Sequence, residues 1–407
     1  MKKSLYTVLL LISIVSLWAE KPRRYFEIGA DVSGGVANNY LFFGDIFQET
    51  ITIDLNAISD KMADNGLQLN VAADAEAFVN INFGSKFGIG FFAGTDALMY
   101  GSLPKSLFEF ISEGNKEAGK VFEGNAAAGG SVFADVGFHV SGQAGRFKYK
   151  VKPAMFIPLI YIPKPDISYT LQTSRDGTIY IDGKADVNVY APVPLHDNSD
   201  SFTYELSDLN RFLDGRGFDL SLDVEFELLS MLDLGLSVVN IPLLPAELNH
   251  KMGYSVSFNI HQSGMLDQLI DNEFNSDDVI TDSSEESYSD NESYKVRRPL
   301  TFELYALFRP FKSDFIVLRP NVALSLFTVY DKPVFGAGVM AQLNIKRLFS
   351  LDFGFGYEEL LWKTKLGFVL NLRVLELNVM TTLQSQNFLN MYKLNGLNAA
   401  VGVRIGI

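Results

Sequence analysis

Apolar and polar residues alternate with a period of two along most of this chain. The longest uninterrupted case is LQLNVAADAEAFVNINF, residues 67–83. In an extended strand Leu67, Leu69, Val71, Ala73, Ala75, Ala77, Val79, Ile81 and Phe83 share one face. Gln68, Asn70, Asp74, Glu76, Asn80 and Asn82 share the other. At about 3.4 Å per residue such a strand reaches roughly 55 Å, against a usual length of about 5–6 residues. The alternation returns in KFGIGFFAGTDA, SVFADVGFHVSG, RFKYKVK, TIYIDGKADVNVYA, GFDLSLDVEFELL, KMGYSVSFNI and LTFELYALF. Towards the C-terminus VFGAGVMAQLNIK, LDFGFGYE and TKLGFVLNLRVLELNVMTTL predict strands joined by very short turns.

Long strands with faces of opposite polarity, repeated many times, predict an all-β protein: a transmembrane antiparallel β-barrel of about 14 strands, within a range of about 12–16. A membrane strand needs about 9–11 residues, and a closed ladder satisfies every backbone group in lipid. The apolar faces then meet lipid and the polar faces line the interior. The last stretch, LNAAVGVRIGI, places Leu397, Ala399, Val401, Val403, Ile405 and Ile407 on one face and is expected to close the ring against YFEIGADVSG. The competing fold is a soluble periplasmic sandwich or lipid-carrying barrel.

Two segments break the period. SLPKSLFEFISEGN (102–115) and SDLNRFLDG (207–215) predict short loop or luminal helices over the barrel rim. Between residues 266 and 294 lie ten acidic residues and no basic one, with Ser and Asn filling much of the rest. That composition predicts a solvated acidic surface loop at about 262–297.

The N-terminus reads MKKSLYTVLLLISIVSLWAEKPRR, with Lys2 and Lys3 before a fourteen-residue apolar run. It predicts a signal peptide over residues 1–19 and export, leaving 20–407 as one barrel domain. No Cys follows it or occurs elsewhere, which excludes a lipid-anchored lipoprotein and disulfides. Losing Lys2 and Lys3 takes the formal charge from −14 to −16, which argues against nucleic acid as a partner. The 33 Phe and 17 Tyr fit lipid-facing strands and interfacial girdles.

Chemistry is sparse. The four His, at 139, 196, 250 and 261, have no metal-ligand spacing, and no nucleophile or phosphate-cradling motif occurs. No catalytic, cofactor-binding or metal residue is predicted, and no enzyme. Two charge stripes are expected to face the lumen: Arg146, Lys148, Lys150 and Lys152, and Asp219, Asp223, Glu225 and Glu227. Either they set ion preference or hold an anionic head group, or they neutralise each other within a filled interior.

FGIGFFAGTDALMYGSLPKSLFEFISEGN resembles a hairpin running into an LPK-x-LF…GN helix in a family of uncharacterised bacterial outer-membrane proteins. GRGFDLSLDVEFELLSMLDLGLSVVNI is similar to paired strands of that group and of the long-chain fatty-acid transporter superfamily. The terminal strand resembles a barrel-insertion signal, with Ile407 where Phe is usual. The resemblance implies a 14-stranded barrel with an N-terminal segment inside it, taking up hydrophobic molecules such as fatty acids. The Asn-Pro-Ala motif of the best-known transporters is absent from EKPRRYFEIGADVSGG, so no ligand-contacting residue carries over. The partners expected are outer-membrane lipid, a small hydrophobic ligand and the barrel-insertion machinery. The alternative function is a non-transporting barrel acting as an adhesin or as the membrane partner of a surface or secretion complex.

Overall fold

A computed structural model describes residues 24–42, 62, 66–84, 86–113, 119–174, 178–193, 209–262, 282–290, 292–328, 332–345, 348–359, 361–372 and 374–407. The expected signal peptide, residues 1–19, lies outside the described residues.

The first strands in chain order are β1 (Phe26–Asn38), β2 (Leu67–Phe83), β3 (Phe87–Leu103), β4 (Val121–Ala144) and β5 (Phe147–Ile162). They are followed by β6 (Asp166–Thr173), β7 (Ile179–Ala191), β8 (Gly217–Leu229), β9 (Leu232–Leu244) and β10 (Ala246–Leu248). The second half holds β11 (His250–Gln262), β12 (Asp282–Asp290), β13 (Tyr294–Val296), β14 (Leu300–Phe308) and β15 (Ile316–Leu326). It ends with β16 (Val334–Ile345), β17 (Phe349–Glu358), β18 (Leu361–Asn371), β19 (Leu375–Ser385) and β20 (Gly396–Gly406).

All pairings are antiparallel. The wall runs β1 to β5 in order, crosses from β5 to β8, continues through β9 to β14, and proceeds in order to β20. β20 then pairs with β1, from Glu27 opposite Gly406 to Ala37 opposite Gly396, so the sheet is a closed barrel and the terminal strand joins the first as expected. Closure leaves no free edge in the wall, and a wall of this kind needs no disulfide.

The main sheet counts 18 strands, 14 of which form the closed ring, so the expectation of about 14 holds for the ring and falls short of the whole sheet. Four of them, β6, β7, β11 and β12, leave the wall as a branch from the far end of β4, where Val121–Ala126 pair with β6. β10 and β13 form a separate two-stranded sheet. The acidic stretch expected as a surface loop also needs correcting in its described part. Asp282–Asp290 form strand β12, hydrogen-bonded along β11, and Tyr294–Val296 form β13. Backbone pairing with a neighbouring strand there outweighs the composition that reads as disorder.

Both expected helices are present: α1 (Lys105–Glu113) and α2 (Leu209–Asp214). α1 packs on the far end of β4, with Phe110 edge-on to Phe122 at 5.5 Å. Turns of a few residues join β2 to β3, β4 to β5 and β8 to β9 at one end of the barrel. The helices and the branch lie at the other.

Two-residue alternation decides which side chains face out. Along β2 and β3, Leu69, Val71, Ile81, Phe83, Phe87, Phe91 and Met99 are exposed, while Phe78 and Phe92 are buried on the opposite face. On β17, Leu351 and Phe353 are exposed and Ser350 and Asp352 are buried. The outside is therefore apolar, and the inside holds the charges.

Candidate functional site: a braced and plugged lumen

The lumen is filled on one side. β4 and β5 send Phe133 and Phe156 inward, each 1% exposed, with their rings edge-on at 5.9 Å. Phe133 points inward by the alternation of β4, and the register of β5 shifts beside it, where Pro158 and Ile160 stand opposite Phe133 and Val132 and Leu159 is left over. Against these rings pack Ala246 and Leu248 of β10 and Val296 of β13, together with Tyr190. The small sheet of β10 and β13 thus folds inward as a plug, its apolar residues covering Phe133 and Phe156. Gly217 makes room: a Cβ there would lie 2.4 Å from the Phe156 ring.

Arg298 follows β13 and fastens the plug to the wall. Its guanidinium donates to both oxygens of Asp219, at 2.7 and 2.8 Å, and to Asp135 at 2.7 Å, with Asp96 at 4.0 Å. Its charged carbon lies 5.2 Å from the centre of the Phe156 ring. Arg298 is 7% exposed and Asp219 1%. A planar fork on a carboxylate is the strongest geometry available to such a pair. Asn240, at φ 61°, sits in a bulge of β9, accepts the left-handed backbone, and donates from Nδ2 to the carbonyl of Pro299 at 3.1 Å. Three wall residues, Asp219, Asp135 and Asn240, therefore hold the last link of the plug.

The two charge stripes are neighbours. β5 lies beside β8, with Lys148 opposite Glu225, Lys150 opposite Asp223, Lys152 opposite Ser221 and Ala154 opposite Asp219. Lys148 Nζ reaches Glu225 at 2.9 Å and Asp233 at 3.7 Å. Lys152 pairs instead with Glu76 of β2, and its ammonium sits 3.8 Å from the centre of the Phe92 ring. Asp223 and Glu225 accept from the Tyr305 hydroxyl at 3.1 and 3.3 Å. Arg146 lies in the turn before β5, outside the ladder, and Glu227 is exposed at the end of β8. The stripes thus split between cross-strand neutralisation, bracing to other strands, and the short-turn rim.

More braces ring the interior. Arg404 links Glu376 at 2.9 Å and Asp31 at 3.5 Å, and Arg24 links Glu27 at 3.0 Å and Glu376 at 3.5 Å. Sequence reasoning missed Arg298, because a lone Arg after an acidic stretch has no periodic partner. It found Asp219 only as one member of a stripe.

The other side of the lumen is open. Between β14 and β18 lies a cavity of about 270 Å³, lined by Glu303, Arg319, Asn321, Lys363, Lys365 and Glu358 over the glycines of β16 and β17. A second of about 250 Å³ shares Glu358, Lys363 and Lys365 and reaches Asn70, Gln384 and Asn398. No group of three or more His, Cys, Asp or Glu that could hold a metal occurs among the described residues.

The fold and the site define a closed antiparallel β-barrel with an apolar exterior, a charge-braced lumen and an inward-folded plug. The chain belongs to a family of unknown function, DUF5723, whose model matches residues 21–382. No curated protein matches. Among solved structures the chain is similar to the Pseudomonas putida toluene transporter TodX, at 10% identity and a TM-score of 0.43, covering 96% of this chain and 90% of that one. It is also similar to the Ralstonia pickettii toluene transporter TbuX, at 9% identity and a TM-score of 0.46, covering 97% and 91%. A Pseudomonas aeruginosa FadL homologue matches at 8% identity and a TM-score of 0.44, covering 94% and 90%.

Proposed function

We propose that the protein is an outer-membrane barrel that admits small solutes past an internal plug. The observation that carries the membrane reading is the apolar exterior of a sheet with no open edge in its wall. Aromatic bands support it. On β17 and β18, Phe349 and Phe368 pair at 6.2 Å near the short-turn end, and Tyr357 and Trp362 at 5.1 Å near the other. Eight residues of β17 separate these bands, roughly 26 Å along the strand. With a strand tilt near 40° this is about 20 Å of membrane depth, close to the apolar band of about 25 Å in outer-membrane barrels. The short turns then belong to the periplasmic side and the branch to the outside. The terminal strand β20 is the segment offered to the barrel-insertion machinery.

Hydrophobic solutes such as fatty acids are the cargo that the sequence resemblance implies. One apolar feature of the lumen is the cluster of Phe133, Phe156, Leu248 and Val296 under the plug. The test is swelling of liposomes containing the purified chain, together with uptake of labelled fatty acid. Inertness in both, in a chain that fractionates with the outer membrane, would overturn the transport reading.

A second reading, a non-transporting barrel that binds a partner, is favoured by the branch sheet carried off the wall. Deleting residues 263–290 separates the two readings: solute uptake survives it, and partner binding does not.

A further inference from the structure

The open half of the lumen differs in charge from the rest of the molecule. Around the cavity of about 270 Å³ stand Arg319, Lys363 and Lys365 against Glu303 and Glu358, one positive charge in excess, in a chain of formal net charge −14. Arg319 is committed: its guanidinium lies 3.1 Å from Glu303 and 4.4 Å from the centre of the Tyr305 ring. Lys363 is committed to Glu358 at 3.0 Å. Lys365 has no ion pair or hydrogen bond among the described residues, although it lines both cavities.

The ladder explains the shape of this bay. Arg319, Met340, Gly354, Lys365 and Thr382 lie in register on five successive strands. The next row is Asn321, Gly338, Gly356, Lys363 and Gln384. Strands lie about 4.8 Å apart, so Arg319 and Lys365 stand roughly 14 Å apart across a floor largely of glycine backbone. Glu303 uses Oε1 for both Arg319 and Asn321, and Glu358 uses Oε2 for Lys363, which leaves the second oxygen of each carboxylate able to accept.

We propose that this bay binds a small polyhydroxylated monocarboxylate, with its carboxylate on Lys365 and its hydroxyls donating to Glu303 and Glu358. One excess positive charge matches a monoanion. The two carboxylates disfavour a doubly charged one and suit a solute rich in hydroxyl donors. The volume of about 270 Å³ admits a molecule the size of a sugar acid. The site goes beyond the solute passage proposed above, because it rests on the bay rather than on the plug.

The test is equilibrium dialysis of radiolabelled gluconate against the purified full chain in detergent. Gluconate binds saturably, and sorbitol, which has the hydroxyls without the charge, competes at least tenfold less well. Lys365→Gln weakens binding at least tenfold, while Lys184→Gln, on the branch outside the ring, leaves it unchanged. Lumen substitutions of this kind are tolerated by barrels, and heat-modified gel mobility verifies the fold of each variant. Absence of saturable binding, equal competition by sorbitol, or equal weakening by both variants would overturn the proposal. Gluconate binding without liposome swelling would count against solute passage alone and leave the site standing.

Discussion

Replacing Arg298 removes the guanidinium that faces Asp219, Asp135 and Asp96 at the plug. Asp219 then sits at 1% exposure with neither of its two guanidinium bonds, and Asp135, 11% exposed in its side chain, loses its own. Breaking a buried pair from one side costs about 3–5 kcal/mol, mainly because the surviving charge is left unpaired. Arg298→Met keeps most of the bulk over Phe156, so packing changes little and the charge term dominates. The expected loss is therefore about 3–5 kcal/mol in urea unfolding of the barrel in lipid vesicles, with faster hydrogen exchange at Ala246–Leu248 and Tyr294–Val296 and an added conductance in planar bilayers. Asp219→Asn in the same background relieves the orphaned charge, so the double variant recovers a large part of the loss. A coupling of 0.5–3 kcal/mol is usual for residues in one network, and this buried fork belongs at its upper end. If Arg298→Met shifts unfolding by less than about 0.5 kcal/mol, as a surface pair would, the latch reasoning is wrong.

Other perturbations follow from the same geometry. Lys148→Ala removes a half-exposed ammonium from Glu225 and costs less than about 1 kcal/mol in the same unfolding assay, despite the 2.9 Å contact. Gly217→Val drives a side chain into the Phe156 ring and costs about 1–3 kcal/mol, read as a lowered thermal midpoint; Gly217→Ala shows a smaller effect of the same sign. Phe353→Arg, at a site 57% exposed on the outer face, lowers stability by about 2–4 kcal/mol in bilayers, and a neutral result would place that face away from lipid. Asn240→Val loses both the tolerance for φ 61° and the bond to Pro299, and lowers the thermal midpoint, while Asn240→Gly retains the backbone and loses only the bond.

The alternation of Leu67–Phe83, and its return up to Ile407, carried the barrel and the orientation of its faces. A strand places every second side chain on the same side, so polarity along the chain maps directly onto inside and outside. Ring closure by Gly396–Gly406 was legible for the same reason. Which strands leave the ring was not, because β6, β7, β11 and β12 carry the period of wall strands and only their partners show that they leave the wall. The acidic Asp282–Asp290 stretch read as a loop because composition reports solvation and is silent on an available neighbouring edge.

The lumen belongs to tertiary structure. That Lys148 faces Glu225, that Lys152 crosses to Glu76, and that Arg298 sits on Asp219, seventy-nine positions away, are consequences of register and of one inward fold. Period two tells which residues point inward, but the distance between two inward charges depends on which strands become neighbours. That choice is made by long-range pairing around the ring, which no local pattern encodes.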